Sequence, residues 1–237
     1  MCGRYVLEID SDGLMRAYAA QPARDFDWDP VYSIAPRTKA PVIREHFDDD
    51  GHLRRTLEFA RWGFCPSWAK DKGPRPINAR YETAASNGMF RSAFASHRAV
   101  VPMSGYYEWV EMEDGKQPHY VHSRDSSTLH AAGLTTAAKN DDGNWDVTFT
   151  IITREARDAA GDVHDRMPAF LPGEKLGEWL RPGKLDPDER ADLHAGLGEV
   201  SEQIAGTLVT HPVDRAVNNT RVVDRTDPGL VAPIELG

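Results

Sequence analysis

Residues 99–122 read AVVPMSGYYEWVEMEDGKQPHYVH, and this stretch indicates the class of fold. Three runs rich in β-branched and aromatic residues, at 99–103, 105–112 and 118–122, are typical of strands. Asp114-Gly115 stands between the second and third runs, and an Asp-Gly pair flanked by apolar runs favours a tight hairpin turn. The stretch therefore predicts consecutive antiparallel strands.

The segments on either side extend the same pattern. Further β-like runs lie at 41–47, 53–64, 128–135, 145–153 and 207–213. Residues 78–97 are rich in Ala, Met and Phe and predict a helix interrupted near Asn87-Gly88, and Asp186-Pro187-Asp188-Glu189 is typical of a helix start. Because the strands cluster instead of alternating with helices, we expect an α+β fold. The prediction is one domain over residues 1–237, with a mainly antiparallel, curled, barrel-like sheet and flanking helices.

Composition limits the classes of function. The chain has 237 residues, and no apolar run approaches the roughly 20 residues of a membrane span, so we expect no membrane partner. The N-terminus lacks the apolar region of a secretory signal, and the only cysteines are Cys2 and Cys65; both observations favour a cytoplasmic protein with reduced thiols. A net charge of −9 argues against a protein that coats nucleic acid generally, but it leaves room for a local basic cleft.

Cys2 has the most informative position in the chain. Initiator methionine is commonly removed when the next residue is small, and its removal here would leave Cys2 with a free α-amine beside its thiol. The amine has an ordinary pKa of about 8 and the thiol one of about 8.5, so both are partly nucleophilic near neutral pH. Such an aminothiol condenses with aldehydes to a Schiff base and then a thiazolidine ring. The alternative is a small buried hydrophobe at the start of a strand.

Two polar residues stand in segments with regular structure. Glu108 lies in the strand-like run 105–112, where a period of two places it on the same face as Tyr106 and Val110. If that face points inward, burial raises the pKa of Glu108 and suits it to proton transfer near neutrality; the alternative is an edge-strand glutamate. Asn78 is ordinarily explained as a helix cap. Arg80 is either a solvated helix charge or a phosphate ligand.

Two loops carry further candidates. His164 lies in a compact loop after Gly161, where it is either a proton shuttle or a surface histidine. Residues 62–68 are aromatic and loop-like, and rings such as Trp68 either stack on unpaired bases or belong to the core. We expect neither a metal nor an organic cofactor, because the sequence lacks Cys-x-x-Cys, His-Glu-x-x-His and Walker-type patterns.

Seven motifs occur in a specific order along nearly the whole chain. They are Cys2-Gly3-Arg4-Tyr5, Trp62-Gly63-Phe64 with Trp68, Ile77-Asn78-Ala79-Arg80-x-Glu82-Thr83, Gly105-Tyr106-Tyr107-Glu108-Trp109, Ile151-Ile152-Thr153, His164-Asp165-Arg166-Met167-Pro168 and Val217-Asn218-Asn219. This ordered set resembles the SOS-response-associated peptidase family, the abasic-site processing proteins. The acidic net charge is the one feature that fits poorly with a DNA-binding family.

The resemblance implies a sensor of abasic sites in single-stranded DNA that becomes covalently joined to the lesion. It implies Cys2 as nucleophile, with Asn78, Glu108 and His164 completing the catalytic site. It also implies DNA contacts, for which the motifs supply Gly3, Arg4, Trp68, Arg80, Trp109, Thr153 and Arg166. The peptidase label implies release of the residue before Cys2 by the protein itself. We expect a cytoplasmic, nucleoid-associated monomer.

The implied chemistry accounts for these residue types. An abasic sugar is mostly a closed hemiacetal, and its opening requires a proton transfer that suits His164. The Cys2 amine then meets the aldehyde, Glu108 moves protons, and Asn78 orients the amine or the sugar. A bare Schiff base promotes strand cleavage, whereas ring closure by the thiol removes the iminium and shields the strand. The rival functions are a Cys-dependent peptidase acting in trans and a non-covalent single-strand binder that uses Trp68, Trp109 and the arginines.

Overall fold

The hairpin expected within residues 99–122 is present in the computed structural model. Strand β8 (Gly105–Met112) pairs antiparallel with β9 (Gly115–Ser123), and the register places Tyr106 opposite Val121 and Glu108 opposite His119. Gly115 has a φ of 122°, a conformation that side-chain-bearing residues rarely adopt, which explains the glycine in the turn. The structure describes residues 2–23, 26–66, 68–69, 73–139 and 145–236.

Strands outnumber helices among the described residues, and the longest helix there, α6, lies in the C-terminal third of the chain. The remaining strands are β1 (Tyr5–Leu7), β2 (Gln21–Pro22), β3 (Val31–Ile34), β4 (Lys39–Phe47), β5 (Leu53–Trp62), β6 (Asn78–Arg80), β7 (Arg98–Met103), β10 (Leu129–Lys139), β11 (Trp145–Glu155), β12 (Arg166–Pro168), β13 (Phe170–Leu171) and β14 (Leu208–Pro212). The helices are α1 (Ser11–Tyr18), α2 (Tyr81–Ala84), α3 (Arg91–Ser96), α4 (Asp158–Gly161), α5 (Leu176–Leu180) and α6 (Pro187–Ala205).

The strands form two sheets, one of which closes on itself. One antiparallel sheet has the order β14-β9-β8-β1-β3. In the other sheet the strands β11, β10, β7, β4 and β5 are neighbours in that order. The last of them, β5, also pairs with the first, β11, through Arg61–Thr148 and Trp62–Phe149. This last pairing completes a ring of five strands. The expected α+β domain with a mostly antiparallel, barrel-like sheet is therefore confirmed.

The main core lies within and around this ring. Its largest side chains include Trp62, Phe94, Phe149 and Trp179, all essentially inaccessible to solvent. A second, smaller apolar cluster packs on the outer face of the five-stranded sheet, around Tyr107. Burial of this apolar surface, at roughly 25 cal/mol per Å², is the main force that holds the sheets together.

The helix predictions were partly right. Helix α6 begins at the expected place, and Asp186 forms a capping box in which its side chain accepts hydrogen bonds from the N–H groups of Asp188 and Glu189. The interrupted helix expected at 78–97 was wrong at its start, because residues 78–80 form β6. The helices of this segment are α2 and α3, and the interruption lies near Asn87 as expected. Among the described residues, no helix is both long and apolar enough to cross a membrane.

Candidate active site

Cys2 is held by main-chain and side-chain contacts immediately before β1. Its side chain is fully buried and belongs to the main core. Its carbonyl oxygen accepts a hydrogen bond of 2.9 Å from Nδ2 of Asn78, and the backbone N–H of Arg4 interacts favourably with its sulfur. The burial expected of a structural cysteine is thus present, and the role of Cys2 as nucleophile stays a prediction. Met1 lies outside the described residues.

The surroundings of Cys2 keep its thiol protonated. Burial raises the pKa of the thiol well above its usual range, and the nearby carboxylate of Glu108 raises that pKa further. Cysteines that act as preformed thiolates instead have a depressed pKa, because cations or helix N-termini stabilise the anion. The sulfur of Cys2 therefore needs a base to remove its proton in the course of a reaction.

Asn78 reaches Cys2 from a strand. Strand β6 runs parallel to β11, with Asn78 opposite Ile151, and this pairing replaces the helical turn that the sequence predicted. The interpretation of Asn78 as a helix cap was therefore wrong: the cap position of α2 is Arg80, and no side chain caps it. The second polar atom of the Asn78 amide, Oδ1, is buried and accepts no hydrogen bond within the described part of the chain.

Glu108 has the inward position that raises its pKa. It lies on β8, which has β1 on one side and β9 on the other, so the edge-strand alternative was wrong. The residue is only 3% exposed. Burial raises the pKa of Glu108 to about 7, and the negative charge of Asp165 adds to the rise. A carboxyl group with this pKa is able both to donate and to accept a proton near neutrality.

His164 lies between α4 and β12, at the margin of the site, where its side chain is 29% exposed. The N–H of Arg166 donates to its Nδ1 at 3.0 Å, and the same nitrogen is 2.8 Å from Oδ1 of Asp165. Burial lowers the pKa of His164, so the neutral imidazole prevails at pH 7. A neutral imidazole is suited to accept a proton. The His164 side chain is only partly exposed, and its role as a proton shuttle stays a prediction.

Two tyrosines near Cys2 were not predicted as site residues. Tyr5 and Tyr106 are opposite each other in the pairing of β1 with β8, and both are completely buried. The charge of Cys2 raises the pKa of each phenol, after the larger effect of burial, so both rings lie near the sulfur. The sequence held one signal for this arrangement, since Tyr106 precedes Glu108 by two positions and shares its face.

Arg4 and Trp109, both expected to contact DNA, join the start of the chain to its C-terminal segment. Nη1 of Arg4 donates to Oγ of Ser33 and to the carbonyl of Val217, each at 2.9 Å. The guanidinium carbon of Arg4 lies 6.0 Å from the ring centroid of Trp109, and Nε1 of Trp109 donates to Oδ1 of Asn218 at 2.6 Å. Both side chains therefore have structural partners, and their contacts with DNA stay predictions.

A second group of expected DNA contacts surrounds β12. The guanidinium of Arg166 forms a bidentate ion pair with the carboxylate of Glu82, at 2.7 and 3.0 Å, and also donates to the carbonyl of Thr153. Thr153 itself is 1% exposed, so its side chain belongs to the interior. Arg80, opposite Thr153 in the pairing of β6 with β11, is exposed. The fork of Arg166 is thus already occupied by a carboxylate, whereas Arg80 faces solvent.

The aromatic residues of the stretch 62–68 have two different environments, the core for some and the surface for another. Trp62 and Phe64 are buried in the core, whereas Trp68 is 66% exposed and presents its ring to solvent. Gly3 is partly exposed beside Cys2. Ser67 lies outside the described residues. Trp68 therefore remains available for stacking, and the other two rings are structural.

Comparison with known sequences shows the family of the chain. The sequence model of the family described as SOS response associated peptidase (SRAP) matches residues 1–220. The chain belongs to this family. It is 33% identical to the abasic site processing protein YedK of Escherichia coli strain K12 over 227 residues, which cover 93% of this chain and 96% of that protein. It is 35% identical over 192 residues to the abasic site processing protein YoqW of Bacillus subtilis strain 168, covering 79% of this chain and 84% of that one.

Solved structures support the fold of this SRAP-family chain. An X-ray crystal structure of a protein from Bacteroides thetaiotaomicron superimposes with a TM-score of 0.78, covering 99% of this chain and 100% of the other at 21% identity. At that identity the likeness concerns the fold alone. It shows that the closed, barrel-like sheet around Cys2 is an architecture that a divergent sequence also adopts.

Proposed function

We propose that this SRAP-family protein processes abasic sites in single-stranded DNA by forming a covalent thiazolidine crosslink through Cys2, after Met1 has been removed. One observation carries the proposal: a buried Cys2 has its carbonyl held by Asn78 and a carboxyl group with a pKa of about 7, that of Glu108, beside its thiol. The abasic site processing proteins YedK and YoqW, which share about a third of its residues, support abasic DNA as the substrate.

The protonation states of the site favour a sequence in which the amine acts before the sulfur. The Cys2 thiol is neutral at pH 7, whereas an α-amine with a pKa of about 8 is partly unprotonated. The amine adds to the aldehyde first, and the product loses water to give the Schiff base. The sulfur then attacks the iminium carbon while Glu108 takes the thiol proton. Ring closure removes the iminium and with it the route to strand cleavage by β-elimination.

Asn78 and His164 have distinct roles in this proposal. The amide of Asn78 fixes the Cys2 main chain through Nδ2, and its Oδ1 is an acceptor of the kind that the freed amine requires. The neutral imidazole of His164 accepts the hydroxyl proton of the closed sugar and so opens the ring to the aldehyde. General acid–base assistance of this kind contributes roughly 10²–10⁴-fold to a rate.

Single-stranded DNA is bound, in this proposal, by exposed groups around the site. Arg80 offers an exposed charge and Trp68 an exposed ring. The proposed DNA contacts also include Gly3, Arg4, Trp109, Thr153 and Arg166. A base stacked on an aromatic ring gains about 1–3 kcal/mol. A covalent bond retains the DNA even where phosphate contacts are few, which reconciles DNA binding with a net charge of −9. We further propose a cytoplasmic monomer acting on DNA as one domain over residues 1–237.

Neither rival function fits the observations as well. A cysteine peptidase acting in trans needs a thiolate nucleophile, yet burial raises the pKa of the Cys2 thiol. The proposal also includes release of Met1 by the chain itself. This cleavage occurs once within each molecule, so it does not require a thiol that is already deprotonated at neutral pH. A purely non-covalent binder would stack bases on Trp68 and Trp109, yet Trp109 is only partly exposed and bonded to Asn218.

The proposal is tested with a single-stranded oligonucleotide that carries one abasic site. The purified protein should give an adduct that survives heating in detergent, and intact mass should show a chain that begins at Cys2. Cys2→Ala should give no adduct, whereas the matched variant Cys65→Ala should react like the wild type because Cys65 lies outside the site. Cys2→Ser, which keeps the amine, should be trapped only when cyanoborohydride is present. An equal adduct yield from Cys2→Ala, or from protein that retains Met1, would overturn the proposal.

A further inference from the structure

Tyr5 and Tyr106 are buried tyrosines whose hydroxyl groups have no hydrogen-bond partner among the described residues. Both rings are completely buried, and the two residues are opposite each other in the pairing of β1 with β8. Within the described part of the chain, neither phenolic oxygen makes a hydrogen bond. The great majority of buried polar groups in folded proteins have a partner, so two such hydroxyls on paired residues of neighbouring strands point to a ligand oxygen or water that they bind.

Other buried tyrosines of the same chain make the contrast clear. The hydroxyl of Tyr18 contacts Nδ1 of His130 at 2.7 Å, and that of Tyr107 donates to the carbonyl of Tyr32 at 2.8 Å. These two buried tyrosines therefore each have a partner for the phenolic oxygen. Tyr5 and Tyr106 differ from them in this respect, and they are the two whose phenols interact with the charge of Cys2.

The two rings are held in position by their neighbours. Tyr5 packs edge-to-face on Trp62 with ring centroids 5.3 Å apart, and the ring of Tyr106 lies 6.2 Å from that of Phe170. Hydrogen-bond donors fixed in this way need little reorganisation when a ligand arrives. Burial also raises the pKa of both phenols well above 10, so both keep their protons and act as donors throughout the physiological range.

The remaining polar groups around Cys2 are largely acceptors. The Cys2 carbonyl, Oδ1 of Asn78 and the carboxylate form of Glu108 all accept hydrogen bonds. They suit an amine and a thiol, which carry protons. They do not suit the oxygen atom of the aldehyde, which carries none and gains negative charge when the amine adds to the carbonyl.

We propose that the hydroxyls of Tyr5 and Tyr106 form a pair of donors that binds the oxygen on the reacting carbon. In the forward direction this is the aldehyde oxygen and then the carbinolamine hydroxyl; in the reverse direction it is the attacking water. The inference rests on the proposed function and adds to it two hydrogen-bond donors at the reacting oxygen.

Formation of the thiazolidine requires no reactant besides the amine, the thiol and the aldehyde, with Glu108 carrying the proton. The Cys2 amine adds to the carbonyl carbon, and the N–H proton moves to the oxygen, which gives the carbinolamine. Protonated Glu108 gives its proton to that hydroxyl, the carbon–oxygen bond breaks, and water leaves. The sulfur attacks the resulting iminium carbon, and the thiol proton returns to Glu108. Amine, thiol and aldehyde thus become thiazolidine and water, and neither tyrosine loses its proton.

The test compares Tyr5→Phe, Tyr106→Phe and the double variant with the wild type on the same abasic oligonucleotide. Each single variant should lower the rate of crosslinking about tenfold, the loss expected for one neutral hydrogen bond. Reversal, followed by a chase with unlabelled abasic oligonucleotide, should slow by the same factor because the same oxygen is bound in both directions. Binding to undamaged single-stranded DNA, measured by fluorescence anisotropy, should not change.

Thermal stability distinguishes this role from a structural one. Removal of a buried hydroxyl that has no protein partner should raise the melting temperature by about 2–4 °C per site. The matched control Tyr18→Phe removes a hydroxyl that has a partner, so it should lower the melting temperature and leave the crosslinking rate unchanged. A double variant that crosslinks and reverses within twofold of the wild-type rates would overturn the inference alone. Absence of any adduct from the wild type would instead overturn the proposed function, and the inference with it.

Discussion

Asn78 and Cys2, 76 positions apart in the sequence, are joined by a hydrogen bond of 2.9 Å from the side-chain Nδ2 to the main-chain carbonyl oxygen. The position of Asn78 depends on the parallel pairing of β6 with β11, where Ile151 donates its N–H to the carbonyl of Ile77. The barrel therefore holds the start of the chain through a side chain. A residue so close to a chain end would otherwise fray.

Replacement of Asn78 tests whether its amide contributes to the rate at which Cys2 reacts. Asn78→Ala removes the bond to the Cys2 carbonyl and the Oδ1 acceptor, so we expect the crosslinking rate to fall about 10- to 100-fold. The measurement is the single-turnover rate of adduct formation on an abasic oligonucleotide. The control is Asn87→Ala, because Asn87 is exposed and its Oδ1 accepts only from the N–H of Met89. Equal rates for Asn78→Ala and wild type would remove Asn78 from the site.

Arg98 should be important for stability and not for the reaction. It is 4% exposed, and its guanidinium donates to the carbonyls of Phe94, Ala95, Trp179 and Arg181, which lie at the C-terminal ends of α3 and α5. Arg98→Met leaves these acceptors without a donor, so we expect a loss of about 3 kcal/mol in the free energy of unfolding, measured in urea. Arg91→Met, an exposed change at the first residue of α3, should lose less than about 0.5 kcal/mol.

Local sequence pattern was sufficient for the strands of the 99–122 region and for the class of fold. The alternation around Glu108 and the Asp114-Gly115 turn are local signals, and the hairpin follows from them. The pattern left two positions open for Glu108, inward or at a sheet edge, and the structure shows the inward one. The same period places Tyr106 beside Glu108. The prediction of Cys2 as nucleophile rests on its position, because an aminothiol is available only at a chain start, and on the family resemblance.

The features that were missed depend on long-range pairing. Residues 78–80 have a helical composition, yet they form β6 because pairing with β11 outweighs a weak local propensity. The closure of the barrel by β5 and β11 involves residues more than 80 positions apart, and no local pattern encodes it. Likewise, nothing in the motif of Arg4 indicates that its guanidinium bonds the carbonyl of Val217.

Arg80 provides a test of the electrostatic part of DNA binding. It is exposed, and its charge lowers the pKa of the neighbouring Glu82 after the larger effect of the Arg166 hydrogen bond. Arg80→Ala should weaken binding to single-stranded DNA about 3- to 10-fold, and the plot of log affinity against log salt should become less steep by about 0.7. Fluorescence anisotropy at several salt concentrations measures both. Arg16→Ala, an exposed arginine of α1 outside the family motifs, should change neither.

Glu108 should make folding stability depend on pH. Burial raises its pKa from the ordinary 4.5 to about 7, so the folded protein binds this proton more tightly than the unfolded chain does. Its contribution to the free energy of unfolding is therefore complete below about pH 4.5 and is lost as the pH rises to about 7. The loss is on the order of 3 kcal/mol, from 1.36 kcal/mol per pKa unit. Above about pH 8, where Glu108 is ionised in both the folded and the unfolded state, it changes no further.

Glu108→Gln isolates this effect because glutamine has nearly the same shape and does not titrate. The difference in unfolding free energy between the wild type and Glu108→Gln should change by about 3 kcal/mol between pH 4.5 and pH 8, in favour of the variant at the higher pH. The control is Glu111→Gln on the same strand, whose carboxylate is 74% exposed and should leave the pH profile unchanged. Parallel profiles for the wild type and Glu108→Gln would contradict the raised pKa. They would also leave the thiol of Cys2 without the base that its own burial requires.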